Sequence, residues 1–334
     1  MHDGIECIGV GTNMSMVSNA LLVAFMLQAI EAQARPEASP PIQKARVVIL
    51  STMLSDDFIG EWGFAALVES NGRRILFDTG AKPDTVFENA KKLALDLSGI
   101  TDVILSHWHD DHTGGLVSLR TMLMKQNPAA LSRTHVGRGF FWPRRVKGKP
   151  SNAQQTLKVN YEGLGGRFVE HGAPEELFPG LWLTGEVPRR TDERNFPKNI
   201  QVQRPDGRWT EDDVPDDLSL VLDSVKGLVV VTGCGHAGVI NTLELAKERV
   251  RAVPIAALIG GIHLFEADDT RVDWTAAELK RLGVARLVGA HCTGIEAVMR
   301  LRIGAGLNRT SAVVGAVGAS FDLEKGIDPG DLAR

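Results

Sequence analysis

The sequence predicts an α/β fold in which two mixed β-sheets carry helices on their outer sides. From residue 45 onward, short apolar runs alternate with stretches of helical periodicity, as expected for β-α units. Both halves of this region begin with a hairpin and continue into β-α units. Turns rich in histidine and glycine follow several of these strands, and such sheets hold their ligands at the carboxyl ends of the strands. We therefore expect the functional site in those turns.

The first elements form a hairpin followed by a helix. The apolar runs 45–50 and 63–70 predict strands. The turn 70–73 joins the second run to a third strand, 73–80, which ends at an acid and a glycine. Apolar positions recur at helical spacing over 83–97, so a helix follows the hairpin.

The next elements surround the histidine-rich turn. The run 102–106 predicts a buried strand, and 115–126 predicts a helix that ends before Pro128. The runs 166–170 and 180–187 predict two further strands.

Two segments, 138–155 and 188–217, show no clear periodicity and predict extended loops. Loops of this length are often functional lids. We expect both to shape the pocket, and we expect the basic run 143–149 to be a solvated loop.

The last third alternates regularly. Its predicted strands are 218–223, 227–233, 254–261 and 285–290, its predicted helices are 238–250, 270–282 and 293–303, and the region 310–323 contributes a closing edge strand.

Composition limits the class of protein. The chain has 334 residues, 43% of them hydrophobic and 23% charged, with a net charge of −4. This is globular composition with no electrostatic sign of a nucleic-acid partner. The three cysteines are too few for a disulfide framework. Two of them, Cys234 and Cys292, lie in glycine-rich turns beside a histidine, which favours site chemistry.

The N-terminal region predicts a leader. Residues 16–34 combine an apolar stretch with a small-x-small ending, Ala32-Gln33-Ala34, which is typical of an export signal. The acids Asp3 and Glu6 and the absence of an early Lys or Arg favour the alternative, an apolar leader on a cytoplasmic protein. We expect a leader over 1–34, a proline-rich linker over 35–44, one catalytic domain over 45–334, and an exported protein.

A cluster of titratable residues follows the strand 102–106. Three of the nine histidines, His107, His109 and His112, fall within six positions. In an extended segment His107 and His109 point to the same side, and Trp108 points to the other. Asp111 precedes His112, and we expect Asp110 to be a bystander. Neutral imidazoles and carboxylates together suit zinc and other first-row divalent ions.

The pattern H-x-H-x-D-H after an apolar strand resembles the signature of the metallo-β-lactamase superfamily. The resemblance extends from about residue 46 to the end of the chain. The segments 184–190, 227–243, 259–264 and 289–297 are similar to a branch of metal-dependent hydrolases that includes an archaeal dihydropterin–ribofuranosylaminobenzene phosphate synthase. The resemblance implies a four-layer αβ/βα sandwich.

The resemblance also implies a ligand set. His107 and His109 bind a first metal together with a later histidine. Asp111, His112 and His291 bind a second metal, and Asp78 supports the metal loop. We expect zinc, as one or two ions, with manganese or iron as alternatives.

The expected ligand set departs from the superfamily after the strand 227–233. Most members carry a bridging aspartate there, and this chain has Cys234. A thiolate can bind zinc, and Asp217 is the alternative ligand. His236 is two residues further on and can supply the remaining imidazole of the first metal.

Three further residues are candidates for contact with substrate. Arg189 and Arg190 match phosphate or carboxylate groups by their planar guanidinium forks, although a pair of solvated arginines is equally compatible. We expect His263 to face the substrate or to orient a ligand, with a packed core histidine as the alternative.

Three functions fit these residues. The first is a hydrolase of a small-molecule ester, lactone or phosphoester, in which a metal lowers the pKa of bound water and Asp111 and His263 assist. The second is a pterin-type condensing enzyme, as in the resembled synthase. The third is a non-hydrolytic redox protein like the diiron oxygen reductases. Those proteins carry a glutamate at the position of His109 and an added flavin domain, and both are missing here. We expect a small-molecule substrate, including anionic ones, and no stable membrane insertion of the mature domain, and we make no prediction of oligomeric state.

Overall fold

The computed structural model describes residues 1–2, 4 and 39–332. The chain divides into two units, residues 1–40 and residues 41–334. Most of the expected leader and residues 35–38 of the expected linker lie outside the described residues, so those expectations stay predictions. Within the described ranges, no helix combines the length and the apolar character that a membrane span requires.

The first sheet contains eight strands. They are β1 (Ala45–Ser51), β2 (Ala65–Ser70), β3 (Arg73–Phe77), β4 (Asp102–Ile104), β5 (Arg133–Gly137), β8 (Arg167–His171), β18 (Ser320–Asp322) and β19 (Gly326–Asp328). Their spatial order is β19-β18-β1-β2-β3-β4-β5-β8. The four strands β3, β4, β5 and β8 run parallel to one another, and the remaining neighbours are antiparallel. The predicted hairpin at the turn 70–73 is confirmed, because Ser70 pairs with Arg73.

The second sheet contains seven strands. They are β9 (Glu175–Phe178), β10 (Leu181–Leu183), β13 (Leu220–Ser224), β14 (Gly227–Thr232), β15 (Ile255–Gly260), β16 (Leu287–Gly289) and β17 (Ala312–Val314). Their order is β17-β16-β15-β14-β13-β10-β9. The four strands β14 to β17 are parallel, and the other pairs are antiparallel.

Helices cover the outer faces of the two large sheets. They are α1 (Thr85–Lys92), α2 (Asp110–Thr113), α3 (Leu116–Leu123), α4 (Ala153–Gly163), α5 (Val239–Arg249), α6 (Asp269–Arg281) and α7 (Ile295–Gly304), with a single 3-10 turn at His291–Thr293. Three buried cores separate the layers. Side chains such as Phe77 and Val229 pack between the sheets, Leu119 of α3 packs on the first sheet, and Leu243 of α5 packs on the second. The predicted fold of two mixed sheets with outer helices is confirmed.

The two segments predicted as irregular loops pair with each other. They contribute β6 (Arg144–Val146) and β7 (Lys149–Ser151) from the first segment, and β11 (Ile200–Gln203) and β12 (Trp209–Glu211) from the second. These strands form a small antiparallel sheet in the order β12-β11-β6-β7. The prediction of loops was wrong, because strands of three or four partly exposed residues are too short to show a hydrophobic period.

The fold brings the candidate residues to one end of the sheets. Asp78 follows β3, the histidine-rich turn follows β4, and three further turns, which carry His236, His263 and His291, follow β14, β15 and β16. All of these strands belong to the parallel parts of the two sheets, so their carboxyl ends meet at the same side of the sandwich.

Candidate metal centre

Three imidazoles converge beside β4 and β14. The Nε2 atom of His107 lies 2.9 Å from Nδ1 of His109 and 3.2 Å from Nε2 of His236. His107 and His236 are fully buried, and His109 faces the cleft. Local sequence does not show that these residues are neighbours, because His236 lies 129 residues after His107.

Hydrogen bonds fix the tautomers of two of these rings. The Nδ1 atom of His236 contacts the carbonyl oxygen of Asn195, which can only accept, so that nitrogen carries the proton. The Ser106 hydroxyl donates to Oδ2 of Asp78 at 2.8 Å and lies 2.9 Å from Nδ1 of His107, from which it therefore accepts. Because both Nδ1 atoms carry the proton, we assign a free lone pair to the Nε2 atom of each ring, and these lone pairs face the centre of the group.

Electrostatics in this group favour a bound cation. Burial and the neighbouring imidazoles hold the pKa values of His107 and His236 well below the ordinary range. Burial also lowers the pKa of His109 to about 3. The rings are therefore neutral, and two Nε2 lone pairs face each other at 3.2 Å. A divalent ion between them would replace this repulsion by coordination, so the residues fit a metal.

A second group lies next to the first. Oδ2 of Asp111 is 3.3 Å from Nε2 of His291 and 3.9 Å from Nε2 of His112. The Nδ1 atom of His112 bonds Oδ2 of Asp78 at 2.7 Å, which turns its Nε2 toward the centre. Burial opposes a charge on His112, but Asp78 and Asp111 outweigh it and raise the pKa of His112 to about 9. Asp111, His112 and His291 have donor atoms close enough to share one ion.

Asp78 lies behind both groups. It is fully buried and adopts a positive φ of 57°. Its Oδ1 accepts from the backbone amide of Ser106 at 2.7 Å, and its Oδ2 accepts from Ser106 Oγ and from His112. One carboxylate thus orients His112 directly and His107 through Ser106, as residues that hydrogen-bond to the ligands do in metal sites.

Cys234 lies between the two groups. Its Sγ is 3.2 Å from Nε2 of His112, and it forms a possible ligand group with His107 and His112. Asp217 has a different position. Its Oδ2 accepts from the backbone amide of Ala237 at 2.8 Å, and it belongs to none of the ligand groups found among the described residues. Of the two alternatives for the bridging position, the structure brings Cys234 to the centre.

Trp108 is packed as the spacer between two ligands. Its side chain is buried, and the guanidinium of Arg144 lies 4.6 Å from its ring centroid. Arg144 is itself buried and bonds Asp212 at 2.8 Å and Asp216 at 2.6 Å. The expectation of a solvated basic loop is therefore wrong for Arg144, which ties β6 to the metal loop. Asp110 is exposed and begins α2 outside both ligand groups.

Arg189 and Arg190 both bond to other groups of the protein. Arg189 donates to the backbone carbonyl of His236 at 2.6 Å and also to the carbonyls of Asp213 and Val214. Arg190 pairs with Glu248 at 2.8 Å on the surface. Neither arginine is among the described residues that line the cleft over the metal centre.

A cleft of about 1060 Å³ opens over the two groups, and His109, Asp111 and His263 face it. His263 lines this cleft and its Nδ1 makes no hydrogen bond to any described residue, and its expected contact with substrate stays a prediction. Aromatic, basic and acidic side chains contribute to the walls; they include Trp62, Trp108, Phe196, Phe265, Arg194, Lys198, Arg271, Asp110, Glu266 and Asp268. Phe196, Arg194 and Lys198 come from the segment 188–217, so the expected contribution of this segment to the pocket is seen.

Sequence reasoning missed the supporting residues. Ser106, Asn195 and Thr52 act through a hydroxyl or a carbonyl, and Thr52 accepts from the backbone amide of His291 at 3.0 Å. Of these three residues, only Ser106 could have been suspected from the sequence, because it directly precedes the histidine motif.

Comparisons with known proteins agree with this geometry. The family model described as the metallo-β-lactamase superfamily matches residues 63–250. The chain is 34% identical over 239 residues to a 7,8-dihydropterin-6-methyl-4-(β-D-ribofuranosyl)-aminobenzene-5′-phosphate synthase of Methanocaldococcus jannaschii, which covers 70% of this chain and 81% of that protein.

Solved structures extend the likeness over more of the chain. Tm1679, described as a metal-dependent hydrolase of the β-lactamase superfamily, is 28% identical, covers 83% of this chain and 98% of its own, and gives a TM-score of 0.66. Zinc-bound PqqB of Methylobacterium extorquens is 17% identical, covers 83% of this chain and 100% of its own, and gives a TM-score of 0.51, which supports the fold alone. With its paired ligand groups at the strand ends and its match to the family model, the chain belongs to the metallo-β-lactamase superfamily.

Proposed function

We propose that this protein is a metal-dependent hydrolase that cleaves an ester, lactone or phosphoester bond in a small molecule. The observation that carries the proposal is the pair of ligand groups, His107–His109–His236 and Asp111–His112–His291, at the floor of an open cleft. Zinc is the proposed ion, because imidazole, carboxylate and thiol donors all suit it. A divalent ion in such a site activates water and polarises the scissile group.

The residues around the ions have separate tasks. His107, His109 and His236 hold one position with neutral rings, and Asp78 keeps two ligands oriented. The Asp111 carboxylate faces the cleft and can orient the attacking water by a hydrogen bond, in addition to its place in the ligand group. The His263 ring stands beside that of His236, with 4.6 Å between ring centroids, and offers a donor to the oxygen on which negative charge develops.

The cleft walls suit a small molecule with a flat or apolar part, and two basic side chains at the entrance offer a contact to an anionic group. Trp62 and Phe265 form an edge-to-face pair with ring centroids 5.0 Å apart at the entrance. Arg194 and Lys198 are exposed there and add positive charge. Apolar walls with a few polar groups are the usual form of a small-molecule pocket.

A condensing enzyme is the second candidate. The likeness to the archaeal synthase supports it, since 81% of that protein is covered at 34% identity. Condensation of an activated heterocycle with an aromatic amine also needs a metal or cationic groups near a leaving anion, so the same cleft suits both reactions.

Turnover assays separate the two candidates. The metal-loaded protein should hydrolyse at least one of a generic aryl ester, a lactone and an aryl phosphodiester. A chelator should remove this activity, and the double variant His107→Ala, His109→Ala should lack it, whereas the surface variant Arg208→Ala should keep it. Metal-loaded protein that hydrolyses none of these substrates, but joins a dihydropterin pyrophosphate to an aminobenzene, would replace the first candidate with the second.

We also propose that the protein is exported, on the apolar stretch and small-x-small ending of residues 16–34. Mass spectrometry of the protein purified from its own cells tests this. Export predicts a mature N-terminus at or near Arg35, and an intact N-terminus would place the protein in the cytoplasm.

A further inference from the structure

Two cysteine thiols lie side by side at the base of the metal centre. Sγ of Cys234 and Sγ of Cys292 are 3.2 Å apart, and both side chains are buried. They arrive from the ends of β14 and β16, which are separate strands of the second sheet. The structure gives both as free thiols.

His291 links this thiol pair to the acidic ligand group. It is buried, and neither of its ring nitrogens has a hydrogen-bond partner among the described residues. One donor atom from each of Cys234, His291 and Cys292 lies within 4.8 Å of the others. In a tetrahedral zinc site with bonds of about 2.0–2.3 Å, ligand atoms are roughly 3.3–3.8 Å apart. Small shifts of these three side chains would therefore bring their donor atoms to the distances of a zinc site.

Ordinary packing does not account for the position of Cys292. Cys292 is fully buried, and its sulfur lies 3.2 Å from Sγ of Cys234 and 3.9 Å from the carbonyl oxygen of Cys234. Gly261 leaves the space that this sulfur fills, because a Cβ there would lie 2.7 Å from it. A cysteine that only fills space does not need polar neighbours, whereas a cysteine that binds a metal lies beside other donor atoms.

We propose that Cys292 is a metal ligand, and that Cys234, Cys292 and His291 form a thiolate-rich binding position at this centre. The inference rests on the metal site of the proposed function and adds to it a preference among ions. His291 is common to this set and to the set of Asp111 and His112. Thiolates favour zinc and cobalt, whereas a carboxylate with imidazoles accepts manganese as well. The thiol pair thus biases the centre toward zinc.

Cobalt substitution tests the assignment with a spectroscopic readout. The full chain, loaded with cobalt(II) under reducing conditions, should show a sulfur-to-cobalt charge-transfer band in the near ultraviolet. The intensity per chain should fall about twofold in Cys234→Ser and in Cys292→Ser, and it should be lost in the double variant, because each thiolate contributes one bond. Cys7→Ser, which changes the third cysteine, is the matched control and should keep the full band.

A measurement on the unchanged protein guards against variants that fail to fold. Zinc-edge X-ray absorption should detect two sulfur ligands per chain at about 2.3 Å. A full cobalt band in Cys292→Ser, or fewer than two sulfur ligands per chain, would overturn the assignment of Cys292. Metal that binds without any sulfur ligand would overturn the thiolate position and leave the proposed hydrolase intact, whereas a chain that binds no metal would overturn both.

Discussion

Arg189 donates a hydrogen bond of 2.6 Å to the backbone carbonyl of His236. The same guanidinium reaches the carbonyls of Asp213 and Val214, so it braces the turn that carries a proposed metal ligand. Charged donors to carbonyls are among the stronger hydrogen bonds of proteins. This contact assigns to Arg189 the task of holding a ligand in place.

Replacement of this brace should weaken metal binding. We expect Arg189→Ala to reduce zinc affinity about 10–100-fold, the range found when supporting residues of metal sites are removed. The neighbouring Arg190→Ala is the control, because Arg190 pairs with Glu248 on the surface. Competition with a chelator measures both affinities. An unchanged affinity in Arg189→Ala, with a raised KM for an anionic substrate, would instead assign Arg189 to substrate binding.

Ser106 should matter for metal binding. Its hydroxyl donates a hydrogen bond to Asp78 and accepts one from Nδ1 of His107. Ser106→Ala therefore leaves Nδ1 of His107 without this partner. We expect zinc affinity to fall about tenfold or more, together with a loss of about 1–3 kcal/mol of stability from the buried groups left unpaired. Ser98→Ala, which removes a hydroxyl near the surface, is the control. Equal zinc affinity in parent and Ser106→Ala proteins would show that His107 is oriented by packing alone.

Arg144 should be a major contributor to stability. It is the buried cation beside Asp212 and Asp216, and it stacks on Trp108. Removal of one partner from a buried charge cluster costs about 3–5 kcal/mol. Denaturant unfolding of Arg144→Ala should show this loss, and Arg145→Ala, at the adjacent and more exposed position, should lose much less. A loss below about 1 kcal/mol in Arg144→Ala would contradict the role of this cluster.

Acid stability should depend on Asp102, which lies far from the metal centre. Burial opposes ionisation of this carboxyl, but hydrogen bonds from His135 at 3.1 Å, from Arg133 and from Thr101 outweigh it and lower its pKa below the ordinary 3.8. A lowered pKa in the folded state means that Asp102 stabilises the protein above about pH 4 and loses this effect as the pH falls further.

Unfolding at several pH values tests the role of Asp102. Asp102→Asn should cost about 1–3 kcal/mol at pH 7, and the difference from the parent protein should shrink as the pH falls below 4. Asp56→Asn, at an exposed position, should follow the parent curve throughout. A difference between Asp102→Asn and parent that is constant from pH 7 to pH 3 would exclude ionisation as its cause.

The sequence was informative where a residue pattern follows directly from local physics. Period-two and buried runs predict the strands around Phe77 and Val229, and the motif at His107 predicts metal ligands because few other uses suit that spacing. Asp78 and the late histidines were assigned through the resemblance to the metallo-β-lactamase superfamily, and their positions at strand ends agree with a site at one side of the sheets.

The remaining features depend on contacts between distant segments. Arg144 belongs to a run of basic residues that is typical of a solvated loop, and its burial follows only from the acids Asp212 and Asp216, some seventy positions away. Arg189 was expected to bind an anion because a guanidinium fork suits one, but backbone carbonyls satisfy the same donors. The contact between Cys234 and Cys292 depends on the register of β14, β15 and β16, which local sequence does not define.

Elemental analysis of the purified protein tests the central claim most directly. Expressed with zinc available, and freed of loosely bound ions, the full chain should retain one or two ions. The double variant His107→Ala, His109→Ala should retain fewer than the parent, because it loses two of the three nitrogens of one group. Parent protein that is folded and holds no metal after expression with zinc, manganese or iron would contradict the account.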